Sequence, residues 1–267
     1  MTAQAQPTEI SSLNVELTQM LDASIYDEAR VRQIEVRASY LLSKGLADSG
    51  SCYMAQFLAA HITHNEAAAV QAISRAVANP VCSATIIQNA VVVLSCIGRY
   101  DDAVPLIERM VAEHPDSKRI LFSAIIHLQL GGLIARAAEL IEPYERLRIN
   151  DPPGRWPALK DAILSSNKLL SESGFSDAMV GERLASAVDF LRTHGTPVLR
   201  MSRFTLDSGE FISQLYIKAD PEQCAHLNFD IADMLVDKFE DPGSAVFSIV
   251  CRPHADIYYT KSLAEGQ

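Results

Sequence analysis

The residues from Gly98 to Ser117 recur in outline one period earlier and one period later, and this recurrence constrains the fold more than any other feature of the chain. Windows of 34 residues at 50–83, 84–117 and 118–151 align Ala69, Ala103 and Ala137 at one position, with Ile73, Ile107 and Ile141 four residues later. Residues four apart lie on adjacent turns of one helix face. The small residue lets two helices approach closely, and the branched aliphatic one fills the groove that the approach creates. Each window therefore reads as helix, tight turn, helix. Stacked helical pairs predict a surface for a partner and not, by themselves, a reaction.

The punctuation agrees. Ser83, Ser117 and Asp151 close the three windows, and each can cap the helix that follows, with Pro152 suited to a first helical position. Turns are expected near His64-Asn65, Gly98-Arg99 and Gly131-Gly132-Leu133. Pro143 falls inside the second helix of the third window and should kink or shorten it.

The mutual spacing of Gly98, Tyr100, Ala103 and Pro115 resembles the tetratricopeptide repeat family, over roughly 100 residues and most clearly in the middle window. In the first window Pro80 comes one step early and His64 stands where the turn glycine would sit. The third keeps Gly132 and Ala137 but lacks the tyrosine and the closing proline. The resemblance implies a superhelical array in which the first helix of each window lines a concave ligand groove. Its lining would be Met54, Leu58 and His61, then Thr85, Gln88, Asn89 and Val92, then Arg119, Phe122, Ser123 and Ile126. Some family members hold a terminal carboxylate with a clamp of Lys, Asn and Arg. Asn89 and Arg119 match that pattern, whereas Met54, Leu58 and Ser123 depart from it. The mixed aliphatic and polar lining suits an extended or helical peptide with apolar anchors.

The fold class expected is mainly α, with a small α+β module at the end. Residues 1–9 read as a disordered start, and 10–195 as the helical array. The array opens with helices at Ile10–Leu21 and Tyr26–Leu46, the latter carrying Ile34, Ala38, Leu41 and Leu42 at helical spacing. Tyr26 to Ala29 echoes Tyr100 to Ala103, as a degenerate earlier repeat would. After the punctuation at 151–157, helices are expected at Ala158–Leu170 and Asp177–His194, as a hairpin that could cap the array.

Residues 196–254 read as ββαβ: a hairpin of Pro197–Thr205 and Glu210–Lys218 around Asp207-Ser208-Gly209, a helix from Pro221 to about Phe239 capped by Asp220, and a strand over Ala245–Cys251. The helix should bury Cys224, Leu227, Ile231, Met234 and Leu235 and present Glu222, Asp230, Asp233 and Asp237 on its other face. Residues 255–267 read as a flexible tail.

A formal charge of −10 and a pI near 5.2 argue against nucleic-acid binding, which needs a basic face. No apolar run approaches the length of a membrane-spanning helix, and the start Met1 to Pro7 lacks the features of a signal peptide, so a cytoplasmic location is expected. The five cysteines lack the density of a disulfide scaffold. Phosphate-binding loops, dinucleotide fingerprints and serine-hydrolase elbows are absent.

The expected function is that of a non-enzymatic adaptor or chaperone-like protein, with no cofactor, whose partner is another protein or a peptide. Self-association through a free strand edge of the C-terminal module is a further expectation. The competing reading is a zinc-dependent regulator or enzyme built on Cys224, His226, Cys251 and His254. Against it, Cys224 and His226 are two positions apart on a helix and so point to nearly opposite sides. His61 and His64, three apart, lack further ligands. The row Asp230, Asp233, Asp237 could receive a basic partner or a divalent cation, and Trp156 is expected to pack beneath the cap of the array.

Overall fold

The computed structural model describes residues 8–23, 27–78, 83–147, 155–243 and 246–254. The chain is mainly helical, with a three-stranded sheet near the C-terminus, and it divides into two compact units, residues 1–90 and 91–267. The expected cap at Asp151 with Pro152, the proline at Pro80 and the tail 255–267 lie outside the described residues.

The first unit holds α1 (Glu9–Ala23), α2 (Glu28–Ser43), α3 (Ser49–Ile62), α4 (Glu66–Val77) and the opening turns of α5 (Ala84–Cys96). α3 is apolar nearly all round and is accordingly wrapped, packing on α1, α2 and α4. Asp27 caps α2, accepting from the N–H groups of Ala29 and Arg30. Ala29 is exposed, so the echo of the Tyr100–Ala103 run does not extend to packing there, and Tyr26 lies outside the described residues.

The second unit continues with α6 (Tyr100–Glu113), α7 (Lys118–Leu130), α8 (Ile134–Glu139), α9 (Ile141–Arg146), α10 (Arg155–Glu172) and α11 (Asp177–Thr193). The aligned small and branched positions are core in every window: Ala69, Ala103, Ala137, Ile73, Ile107 and Ile141 are all buried. Pro143 has no N–H to give the carbonyl of Glu139 and its ring crowds that oxygen, so one expected helix is broken at Leu140 into α8 and α9.

Three helix ends close with the same double backbone hydrogen bond at intervals of 34 residues. Asn65 N–H reaches Ala60 O at 2.8 Å, Arg99 reaches Leu94 at 2.8 Å and Leu133 reaches Leu128 at 2.9 Å. The residue before each donor has positive φ: His64 at 56°, Gly98 at 76° and Gly132 at 80°. At Gly98 the demand is double, because a Cβ there would come within 2.9 Å of Val188 on α11.

β1 (Val198–Thr205) pairs antiparallel with β2 (Phe211–Ile217), and β3 (Phe247–Pro253) lies parallel on the far side of β2, reached through α12 (Pro221–Lys238). A capping box between Asp220 and Gln223 starts α12, and Pro221 needs no N–H partner in its first turn. The hairpin tip is held on α10, where Ser166 Oγ donates to Gly209 O at 2.9 Å. A Cβ at Gly209 would meet the Ser165 carbonyl at 2.6 Å.

One face of the sheet shares a core with the helices. Leu184, Ala187, Val188 and Leu191 of α11 pack with Val198, Met201, Leu215 and Ile217 of the hairpin and with Cys224, Ile231, Leu235 and Cys251. Arg183, buried on α11, donates through Nε and Nη2 to the Asp241 carbonyl and sits 4.2 Å from the centre of the Phe239 ring, which ties down the loop after α12.

Candidate functional site

The structure divides the expected groove residues into core and surface. Met54 and Leu58 are each only 3% exposed, because α1 and α2 cover the face of α3 that an open groove would need, so these two belong to the core. Ser123 is likewise buried. Thr85 is exposed on α5, where Gln88 and Asn89 are half-buried and Val92 is exposed one turn on. On α7, Arg119 is exposed while Phe122 and Ile126 are half-buried along one stripe. The Phe122 ring joins a cluster, 5.9 Å from Tyr144 and 6.3 Å from Trp156. Trp156 is buried beside Tyr144 and donates from Nε1 to Glu145 at 3.2 Å, which holds the first turn of α10 against α9. His61 is half-buried; burial and the neighbouring His64 push its pKa down to about 4.

The four residues of the zinc reading do not converge on one point. Cys224 and Cys251 are buried in the core between α12 and β3, while His226 is exposed and His254 is half-buried beyond the end of β3. Burial, with Cys224 adding to it, pushes the Cys251 thiol up to about 12, whereas a zinc ligand must be a thiolate. Among the described residues, no group of three or more His, Cys, Asp and Glu is placed to hold a metal ion.

The acidic row on α12 does line a groove. Asp230, Asp233 and Asp237 face, with Met234, an open depression of about 680 Å³ whose other wall is Phe190 and His194 of α11. The rings of Phe190 and His194 stack with centres 4.0 Å apart, and His194 Nδ1 donates to the Phe190 carbonyl at 2.7 Å, which holds the imidazole flat against its neighbour. Lys238 also borders the groove, but its ammonium donates to Ser186 Oγ at 2.8 Å. Among the described residues, no ion pair reaches Asp230, Asp233 or Asp237.

Three like charges at spacings of three and four repel one another along the helix. The groove thus combines an aromatic and thioether floor with a rim of unneutralised carboxylates. Such a site can receive a cationic group that carries apolar surface. The acidic row was visible as a spacing in the sequence. Its opposite wall was not, because Phe190 and His194 lie some forty residues earlier and only the fold brings them alongside.

Among the described residues, no helix is long and apolar enough to cross a membrane. Comparison with protein-family models, with curated proteins and with solved structures returns no match.

Proposed function

We propose that the chain is a non-enzymatic adaptor of the cytoplasm, a helical array of tetratricopeptide type carrying an α/β module, and that it binds a basic peptide segment of another protein. The binding site in this reading is the groove between α11 and α12. The observation that carries it is the set of three carboxylates, Asp230, Asp233 and Asp237, left without cationic partners among the described residues, around the Phe190, His194 and Met234 surface. A lysine or arginine from a partner would satisfy the rim while its alkyl stem and an adjacent apolar residue cover the floor. The chain's charge of −10 would steer such a partner inward.

The experiment is fluorescence anisotropy with a labelled peptide of lysines and leucines at helical spacing, and a glutamate-for-lysine version as control. The full chain binds the basic peptide and not the acidic one, and affinity falls as salt rises. Replacing Asp230, Asp233 and Asp237 together by Asn weakens binding about tenfold or more, since each lost ionic contact is partly desolvated. Equal affinity for both peptides, or an unchanged affinity in the triple variant, removes the groove as the site.

A further inference from the structure

We propose that α12 carries a second surface, adjoining the groove at Asp233, through which two copies of this chain associate, helix against helix, about a two-fold axis. α12 buries one face through Cys224, Ile231 and Leu235. At 100° per residue, Ala225, Phe229, Ala232 and Val236 fall within about 60° of one another, on a stripe that none of those buried residues shares. All four are exposed; Phe229 is 73% exposed and Val236 is 62%. Their spacing of four, three and four is that of a helix–helix seam. The groove residues Asp230 and Met234 turn toward α11, so the stripe lies on the side of α12 away from α11.

The stripe is complementary to itself. A two-fold axis requires that each residue meet the one placed symmetrically about the centre. Around the Asp230–Ile231 peptide, Phe229 pairs with Ala232 and Val236 pairs with Ala225. In an antiparallel pair, each large side chain therefore faces a small one of the second copy, which lets the helices interlock without a clash. The flank is complementary in hydrogen bonding: the exposed His226 imidazole carries a ring N–H, and this register brings it next to the carboxylate of Asp233 of the second copy, twice per dimer.

The other route to self-association, through the edge of β3, is closed at its middle. Val246 O and His254 N bond toward β2, so in the alternation of a parallel ladder the groups of Cys251 point away from it. Asn228 of α12 takes both, accepting from Cys251 N–H at 2.5 Å and donating to Cys251 O at 3.4 Å. Pro253 has no N–H to offer. A side-chain amide thus occupies the place where a neighbouring strand would pair.

Sedimentation of the full chain over about 1–100 µM tests the proposal, a range chosen because a single helix pair buries less than a standard interface. The wild type shifts from monomer to dimer across it. Phe229→Asp stays monomeric with an unchanged circular dichroism spectrum, since the side chain touches solvent and not the core. Orientation is read by disulfide trapping: an oxidised equimolar mixture of Ala225→Cys and Val236→Cys gives a covalent heterodimer above the wild-type background. A wild type that is monomeric throughout, a Phe229→Asp variant that dimerises like wild type, or an Ala225→Cys variant that cross-links chiefly to itself, as parallel helices would, overturns the proposal.

Discussion

Arg203 of β1 donates from Nη1 to the backbone carbonyl of Gln129 in the last turn of α7, joining the sheet to the helical pairs. The carbonyls of a helix C-terminus are the negative end of its dipole and favour a cation there. The guanidinium also lies 3.6 Å from the centre of the Phe211 ring. Its Nε and Nη2 are buried without a hydrogen-bond partner among the described residues, and burial pushes its pKa down to about 9. Arg203 therefore carries a desolvation cost of several kcal/mol that the Gln129 bond and the ring contact offset only in part.

Removing the charge while keeping the bulk relieves that cost as it removes the contacts. Arg203→Met is expected to change stability by less than about 1 kcal/mol in either direction. Arg203→Ala leaves a void over Phe211 and lowers stability by about 2–3 kcal/mol. Urea unfolding of the two variants decides it. Equal losses in both would mean that the ionic contact, and not the packing, holds the sheet.

Much of this architecture can be read locally. Ala69, Ala103 and Ala137 with their isoleucines mark buried helix positions, and His64, Gly98 and Gly132 mark helix ends 34 residues apart, because both signals are local to the residues that carry them. The ββαβ order was legible for the same reason, through the turn at Asp207-Ser208-Gly209 and the helix start at Asp220-Pro221. Met54 and Leu58 were misplaced because nothing in α3 itself states that α1 and α2 will fold over it. The closure of β3 by Asn228, and the wall that Phe190 and His194 add to the acidic row, are contacts between residues distant in the chain, and no local pattern encodes them.

His64 occupies the left-handed conformation that Gly45, Gly98, Gly132, Gly174 and Gly195 take at five other helix ends. A side chain there crowds the following carbonyl. His64→Gly is expected to raise stability by about 0.5–1 kcal/mol, the strain relieved less the extra freedom of glycine in the unfolded chain. It also removes the neighbour that helps depress His61, so the His61 pKa rises from about 4. Thermal unfolding and NMR titration measure the two effects. A drop in stability would show that the His64 side chain makes a contact worth more than the strain.

His127 is buried on α7 with Nδ1 unpartnered among the described residues, and burial pushes its pKa from 6.5 down to about 4. Above pH 6.5 the imidazole is neutral in both folded and unfolded chains and contributes no pH dependence. Between 6.5 and 4 the unfolded chain takes a proton that the native state refuses, so stability falls as the pH falls, by about 3 kcal/mol at the acid end for this group. His127→Leu removes that share. Its urea midpoint at pH 7 should be no lower than that of the wild type, and the decline toward pH 4 should be shallower. Parallel curves for the two proteins across this window would place the acid sensitivity elsewhere, His61 being the next candidate.

Asp177 opens α11 yet caps a different helix. Its Oδ1 accepts from the Ala135 N–H at 2.9 Å and its Oδ2 from the Arg136 N–H at 3.0 Å, at the start of α8. The N-cap of α8 is Leu133, which supplies no side-chain acceptor, so the amides that a cap would satisfy are met from across the fold. α8 has only six residues before the break that Pro143 imposes, too few to be stable without such help. Asp177→Ala should cost about 1–2 kcal/mol, and Asp177→Asn less, since the amide oxygen still accepts one bond but the charge at the helix N-terminus is gone. Hydrogen exchange localises the effect: the amides of Ala135 and Arg136 lose protection in Asp177→Ala while those of α12 keep it. Unchanged protection at both amides would show that solvent caps α8 equally well.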